Sequence, residues 1–184
     1  MLKHIIQDEN VGIVVGEAGD GSYFEDDIIT RLDADVLLVD MMMPKVNGFD
    51  TIERLRSNGY KGKFIMISRV GAKSMIAKAY EIGVEYYIQK PINKIEVRSI
   101  LRKVESHIVM KRRMNELKEA FQLRSQLTST EVQILDLIHK GYTQPIISEK
   151  LFISTKTVKN HLFNALKKTG LRKSKILAQK IRLD

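Results

Sequence analysis

The chain has 184 residues, enough for two small domains with separate cores, and carries 31 Lys and Arg against 22 Asp and Glu, a net charge of +9. It contains no cysteine, which excludes disulfides and thiolate metal sites, and its four histidines, His4, His107, His139 and His161, lack ligand-like spacing. No apolar run approaches the roughly 18 residues of a membrane span, and Met1 to Asn10 has no signal-peptide core, so a soluble, cytoplasmic protein with no membrane partner is expected.

Met1 to Ile6 reads as the second half of a helix. Val11 to Glu17, with Gly16 and Gly19 at its end, predicts a short strand, and Ser22 to Leu32 predicts a helix with an acidic exposed turn. Val36 to Val39 is a continuous apolar run stopped by Asp40, the pattern of a strand buried on both faces. Gly48 to Ser57 alternates at helical spacing, Phe64 to Ile67 predicts a third strand ending at Ser68, and Ala72 to Ile82 a helix. Val84 to Ile88 predicts a fourth strand that ends near Lys90-Pro91, and Asn93 caps a last helix. Strands alternating with helices over such short connections imply an α/β, doubly wound parallel sheet whose reactive groups gather at the carboxyl ends of the strands. Asp40, Ser68 and Lys90 each fall at such an end.

Taken singly, Asp40 reads as a loop cap, Ser68 as a turn hydroxyl, Lys90 as a surface lysine and Tyr87 as a packed aromatic. In this order at successive strand ends, with Met41-Met42-Met43-Pro44 and Gly48 after Asp40, they resemble the receiver domain of bacterial two-component response regulators. The resemblance covers residues 1–105 and implies a flavodoxin-like fold. It makes Asp40 the phosphoacceptor, whose carboxylate attacks a phosphoryl group to form an acyl phosphate. It likewise makes Ser68 the hydroxyl that binds the phosphoryl oxygens, Lys90 their cation, Tyr87 the aromatic that turns inward, and Lys90-Pro91 a cis peptide. Against that pattern the first strand, with its acidic pair, is missing, and the missing strand would lie between Val11–Glu17 and Val36–Asp40. Relatives hold Mg²⁺ with that pair, the acceptor and a backbone carbonyl. Here only Asp40 and the Met42 carbonyl match, an incomplete metal site, so Mg²⁺ binding and phosphorylation are expected to be weak or absent. Asp8-Glu9 and Asp26-Asp27 are acidic pairs not expected to reach the pocket. An enzymatic reading, a phosphatase with Asp40 as nucleophile, lacks the second Asp that should stand two positions on, where Met42 is found.

From Asn93 a helical pattern runs through Val97, Leu101, Val104 and Ile108, and a second apolar series follows at Met110, Met114, Leu117 and Phe121. The second series suits either a short coiled coil with a partner helix or a linker folded on its own domain. Residues 106–126 are therefore expected to be a helical linker, with a hinge at Gln122 to Gln126.

The surplus charge is local: residues 1–104 hold 15 basic and 15 acidic side chains, residues 105–184 hold 16 and 7. Thr143 can cap a short helix with Ile146, Ile147 and Leu151 facing inward, and Pro145 is tolerated in its unbonded first turn. Phe152 and Ile153 make a turn, and Ser154 caps a longer helix with Val158, Leu162, Ala165, Leu166 and Thr169 on one side. The other side carries Lys156, Lys159, Asn160, Phe163, Asn164 and Lys167. Such a helix suits a major groove, where Lys meets phosphate or guanine and Asn pairs adenine. Phe163 there fits a thymine methyl or a neighbouring helix equally well.

Leu127-Thr128-Ser129-Thr130-Glu131, Gly141, Ile153 through His161, and Lys168-Thr169-Gly170-Leu171 together resemble the LuxR-type, or NarL-type, helix-turn-helix. Pro145 departs from that pattern, standing where a polar helix former is usual. Residues 127–184 are thus expected to be a smaller all-α DNA-binding domain. Lys159 and Asn160 are expected at base edges and Lys156, Thr157, His161 and Lys167 on the backbone. The two resemblances together imply a DNA-binding transcriptional response regulator, not an enzyme, with double-stranded DNA, a sensor histidine kinase and a second copy of itself as partners. The alternative is a phosphorylation-independent regulator whose remnant receiver serves for dimerisation or docking.

Overall fold

A computed structural model describes residues 2–23, 33–69 and 71–182, and the chain divides into two units, Met1–Ile108 and Val109–Asp184. The first unit contains α1 (Leu2–Asp8), β1 (Val36–Asp40), α2 (Gly48–Ser57), β2 (Lys63–Ser68), α3 (Lys73–Glu81) and β3 (Val84–Gln89). It also contains the opening turns of α4 (Lys94–Ser125).

The three strands form one parallel sheet in the order β1-β2-β3, with Asp40 opposite Ile67 and Ser68 opposite Gln89. Residues Phe64 through Ser68 of the central strand are all buried, as its unbroken apolar sequence requires of a strand covered on both faces. Their side chains alternate between two cores. Phe64 and Met66 join Val39, Met41, Phe49, Ile52, Leu55, Ala79 and Val84 on the face covered by α2 and α3. Ile65 and Ile67 join Ile5, Val11, Ile88, Val97, Leu101 and Val104 on the face covered by α1 and α4. This two-sided cover is the α/β, doubly wound arrangement expected. Local chemistry sets the helix starts: the Asn47 side chain accepts from Asp50 N, and Asn93 Oδ1 accepts from Ile95 N at 2.8 Å.

The expected strand at Val11–Glu17 is not formed. Val11 is tucked into the second core, but Ile13 is 90% and Val15 50% exposed, and the segment pairs with no strand among the described residues. An extended apolar segment becomes a strand only when a neighbour takes its N–H and C=O groups, and no described strand lies beside this one. Of the helix expected over Ser22–Leu32, the structure shows a 3₁₀ turn at Gly21–Tyr23; residues 24–32, with Asp26-Asp27, lie outside the described residues.

The second unit holds the rest of α4, then α5 (Ser129–His139), α6 (Gln144–Lys150), α7 (Thr155–Thr169) and α8 (Ser174–Lys180). Ile134, Leu135, Ile147, Val158, Leu162, Ala165, Leu177, Ala178 and Ile181 form its core. Gly170, at φ 69°, takes the left-handed conformation that ends α7. Three local expectations need correction. Gln122 to Gln126 is no hinge, because α4 stays helical to Ser125 and Leu123 packs on the core. Ile146 is 40% exposed, whereas its neighbour Ile147 is buried in the core and Leu151 is partly buried against it. Thr143 occupies the N-cap position of α6, yet its side chain makes no capping hydrogen bond. Met110, Met114 and Phe121 of the second apolar series are exposed, while Ala120, on another side of α4, is buried.

Candidate phosphoacceptor cluster and nucleic-acid face

The carboxyl ends of the three strands bring Asp40, Ser68 and Lys90 together. Met41 N donates to Ile67 O at 2.8 Å and Lys90 N to Ser68 O at 2.7 Å, so the sheet ladder continues one residue past β1 and β3 and brings the chain positions of Asp40, Ser68 and Lys90 side by side. Lys90 Nζ forms an ion pair with Asp40 Oδ2, and Met42 N donates to Asp40 Oδ1 at 3.1 Å. Both carboxylate oxygens therefore already have a donor. The Lys90–Pro91 peptide is cis. Ser68 is buried with its hydroxyl 3.5 Å from the Met41 sulfur, and Tyr87 is half-buried against the α2/α3 core. Gly48 closes the loop: its N–H donates to Met41 O at 3.0 Å, and a Cβ at that position would fall 2.5 Å from Asp40 O.

Mg²⁺ requires an octahedral set of oxygens, several of them anionic. Asp40 is the one carboxylate at these strand ends, and no three His, Cys, Asp or Glu side chains gather to hold a metal among the described residues. Asp8-Glu9 lies elsewhere, Glu9 being paired with Arg98 at 3.0 Å and Lys94 at 3.1 Å. Those two partners hold the Glu9 carboxyl below the usual carboxylate range. The oxygen donors at these strand ends, among the described residues, fall short of the set that Mg²⁺ takes.

The second candidate site is the outward side of α7. Ser154 Oγ accepts from Thr157 N at 3.0 Å, which fixes the first turn. With Val158, Leu162 and Ala165 buried, helical geometry turns Lys156, Lys159, Asn160, Phe163, Asn164 and Lys167 outward, and all six are exposed. Thr157 and His161 are half-buried on the flanks, and the Thr157 hydroxyl lies 2.8 Å from that of Ser154. Phe152, in the turn before α7, has φ 53° and is almost wholly exposed.

Sequence reasoning did not find what holds α7 against α5. Thr128 and Glu131 form a capping box, Thr128 N donating to Glu131 Oε2 at 2.8 Å and Glu131 N to Thr128 Oγ1 at 3.3 Å. Lys168 Nζ then lies 3.0 and 2.8 Å from the two oxygens of the same carboxylate. Burial alone would raise the Glu131 pKa, but Lys168 and Thr128 outweigh it and hold the carboxyl below its usual range. The Thr-x-x-Glu signature is visible in the sequence; the lysine partner is too distant in the chain to be read there.

Residues 1–102 match the family described as response regulator receiver domain, and residues 125–180 the family described as bacterial regulatory proteins, luxR family. The chain is 45% identical over 108 residues to the transcriptional regulatory protein GlnL of Bacillus subtilis, a match covering 59% of this chain but only 34% of GlnL. It is 30% identical over 165 residues to the response regulator protein VraR of Staphylococcus saprophyticus, covering 84% of this chain and 77% of VraR. Among solved structures, that of the response regulator StyR aligns with a TM-score of 0.53 at 24% identity, over 98% of this chain and 90% of StyR, which shows a shared fold.

Proposed function

The chain belongs to the bacterial response regulators that join a receiver domain to a LuxR-type helix-turn-helix, and on that premise we propose that it regulates transcription by laying the outward side of α7 in the major groove of DNA. The observation that carries this reading is the division of α7 into a buried apolar stripe and an exposed stripe of Lys156, Lys159, Asn160 and Lys167. Lys159 and Asn160 read base edges, while Lys156, Thr157, His161 and Lys167 position the backbone. The receiver takes residues 1–105, a helical linker 106–126, and the DNA-binding domain 127–184. The working form is a cytoplasmic homodimer addressed by a sensor histidine kinase, and no enzymatic turnover is assigned. No described helix is long and apolar enough to cross a membrane.

Asp40 is the phosphoacceptor, with Ser68, Tyr87, Lys90 and Pro91 forming the switch around it. Its reaction is slow in this polypeptide because one carboxylate stands where a metal needs several and both its oxygens are engaged. That observation favours a second reading, in which DNA binding proceeds without phosphorylation and the receiver serves for pairing or docking. Fluorescence anisotropy of the full chain on duplex DNA tests the main reading: for about eight neutralised phosphates, affinity should fall by roughly 10³ to 10⁵ between 50 and 200 mM salt. Salt-independent binding, or none, overturns it. The same titration with a small-molecule phosphodonor, on wild type and Asp40→Asn, separates the two modes, since only a phosphorylation-driven regulator responds and loses the response in the variant.

A further inference from the structure

Phe163 stands in the middle of the outward side of α7, 68% exposed, and belongs neither to the core of the second unit nor to the half-buried residues packed on it. Its ring contributes nothing visible to the fold. Lys159 and Asn160 precede it by four and three residues and Lys167 follows by four, so one stripe presents ammonium, carboxamide, benzyl and ammonium groups in order. An apolar side chain set into a cationic face has little to gain from phosphates or water. The apolar group that a major groove offers is the C5-methyl of thymine. Positions three apart on a helix face lie about 5 to 6 Å from each other, more than the roughly 3.4 Å rise of one base pair, so the ring falls over the neighbouring pair.

We propose that Phe163 is a specificity-determining residue that reads a thymine methyl beside the adenine paired by Asn160, so that each half-site carries two adjacent A·T pairs under this part of α7. The inference rests on the DNA-binding reading above and names what that surface selects. It predicts that the base contacts are partly apolar, and therefore less sensitive to salt than those of the lysines.

The test uses the full chain and a randomised duplex library. The most enriched duplex is resynthesised with each thymine replaced in turn by deoxyuridine, which lacks only the methyl. One uracil position per half-site is expected to weaken wild-type binding about four-fold, the worth of one buried methyl. Phe163→Ala, checked by circular dichroism for unchanged helix content, should bind the thymine duplex about four-fold more weakly and ignore that uracil. Phe163→Leu should retain part of the discrimination. If no uracil position matters to the wild type, or Phe163→Ala keeps the same uracil penalty, the assignment is wrong while DNA binding stands. Loss of paired-site occupancy in Phe163→Ala with the uracil penalty intact makes the ring a contact between copies and equally overturns the proposal. If no duplex is enriched at all, the DNA-binding reading itself falls.

Discussion

Lys168, near the end of α7, reaches across 37 residues of chain to place its ammonium 2.8 and 3.0 Å from the two oxygens of Glu131, a carboxylate only 3% exposed. Glu131 simultaneously closes the capping box of α5. One side chain therefore fixes the start of α5 and, through Lys168, ties α7 to it.

Lys168→Met should destabilise the second unit by about 2 kcal/mol, because it leaves a buried carboxylate with only its Thr128 donor. The figure lies below that for a fully buried pair since Lys168 is itself partly exposed. Urea unfolding of the full chain, followed by helix signal, measures it. A midpoint equal to wild type would mean that the pair is solvent-screened and idle.

The same carboxylate predicts a pH dependence. Its folded pKa lies below the ordinary glutamate value of 4.5, so its stabilisation is complete above that value and disappears as pH falls through the lower folded one. Glu131→Gln should therefore be less stable than wild type near pH 6, with the gap narrowing towards pH 3. An equal gap at both pH values would assign the loss to shape rather than charge.

Gly48→Ala should cost about 1 to 3 kcal/mol, the range for forcing an atom into a packed site. The added Cβ would meet Asp40 O at 2.5 Å and Met41 Cα at 2.9 Å, both backbone atoms with little room to yield. Chemical denaturation of the first unit's signal is the measurement. A neutral substitution would show that the loop after Asp40 shifts freely.

Ser154→Ala removes the one side-chain acceptor at the start of α7 and should lower stability by about 1 kcal/mol. DNA affinity should fall with it, because Lys156 and Lys159 lie in the first turns. Ser154→Asp, which can cap as well, should restore the stability; failure to do so would argue against the capping role.

Lys159→Ala should relax preference at one base pair, whereas Lys167→Ala should weaken all sequences alike and lower the salt slope by about 1. Both side chains are exposed on the same side of α7. Competition binding on single-base variants of a selected duplex distinguishes them, and the opposite pattern would exchange their roles.

Local signals carried most of the fold. Gly48 to Ser57 is helical over the residues expected, with Asn47 capping it, and the apolar runs before Asp40 and Ser68 are strands. These segments were legible because periodicity and capping act between residues a few positions apart. Val11–Glu17 was misread for the opposite reason: its pattern is compatible with a strand, but strand pairing belongs to the neighbour as much as to the segment. Ile146 was misread because helical spacing marks a face without saying how much of it a core can take. At the candidate cluster, residue order placed Asp40, Ser68 and Lys90 at neighbouring strand ends, while the engagement of both Asp40 oxygens had no sequence signature.

By itself the sequence determined the period of each element, where helices begin, which side of α7 is apolar, and where the positive charge accumulates. These are properties of nearest neighbours along the chain and of composition. Tertiary structure alone decided that Lys90 closes on Asp40, that Lys168 pins Glu131, and that Ile13 stays in water, since each depends on groups far apart in the chain being brought, or not brought, within a few ångströms.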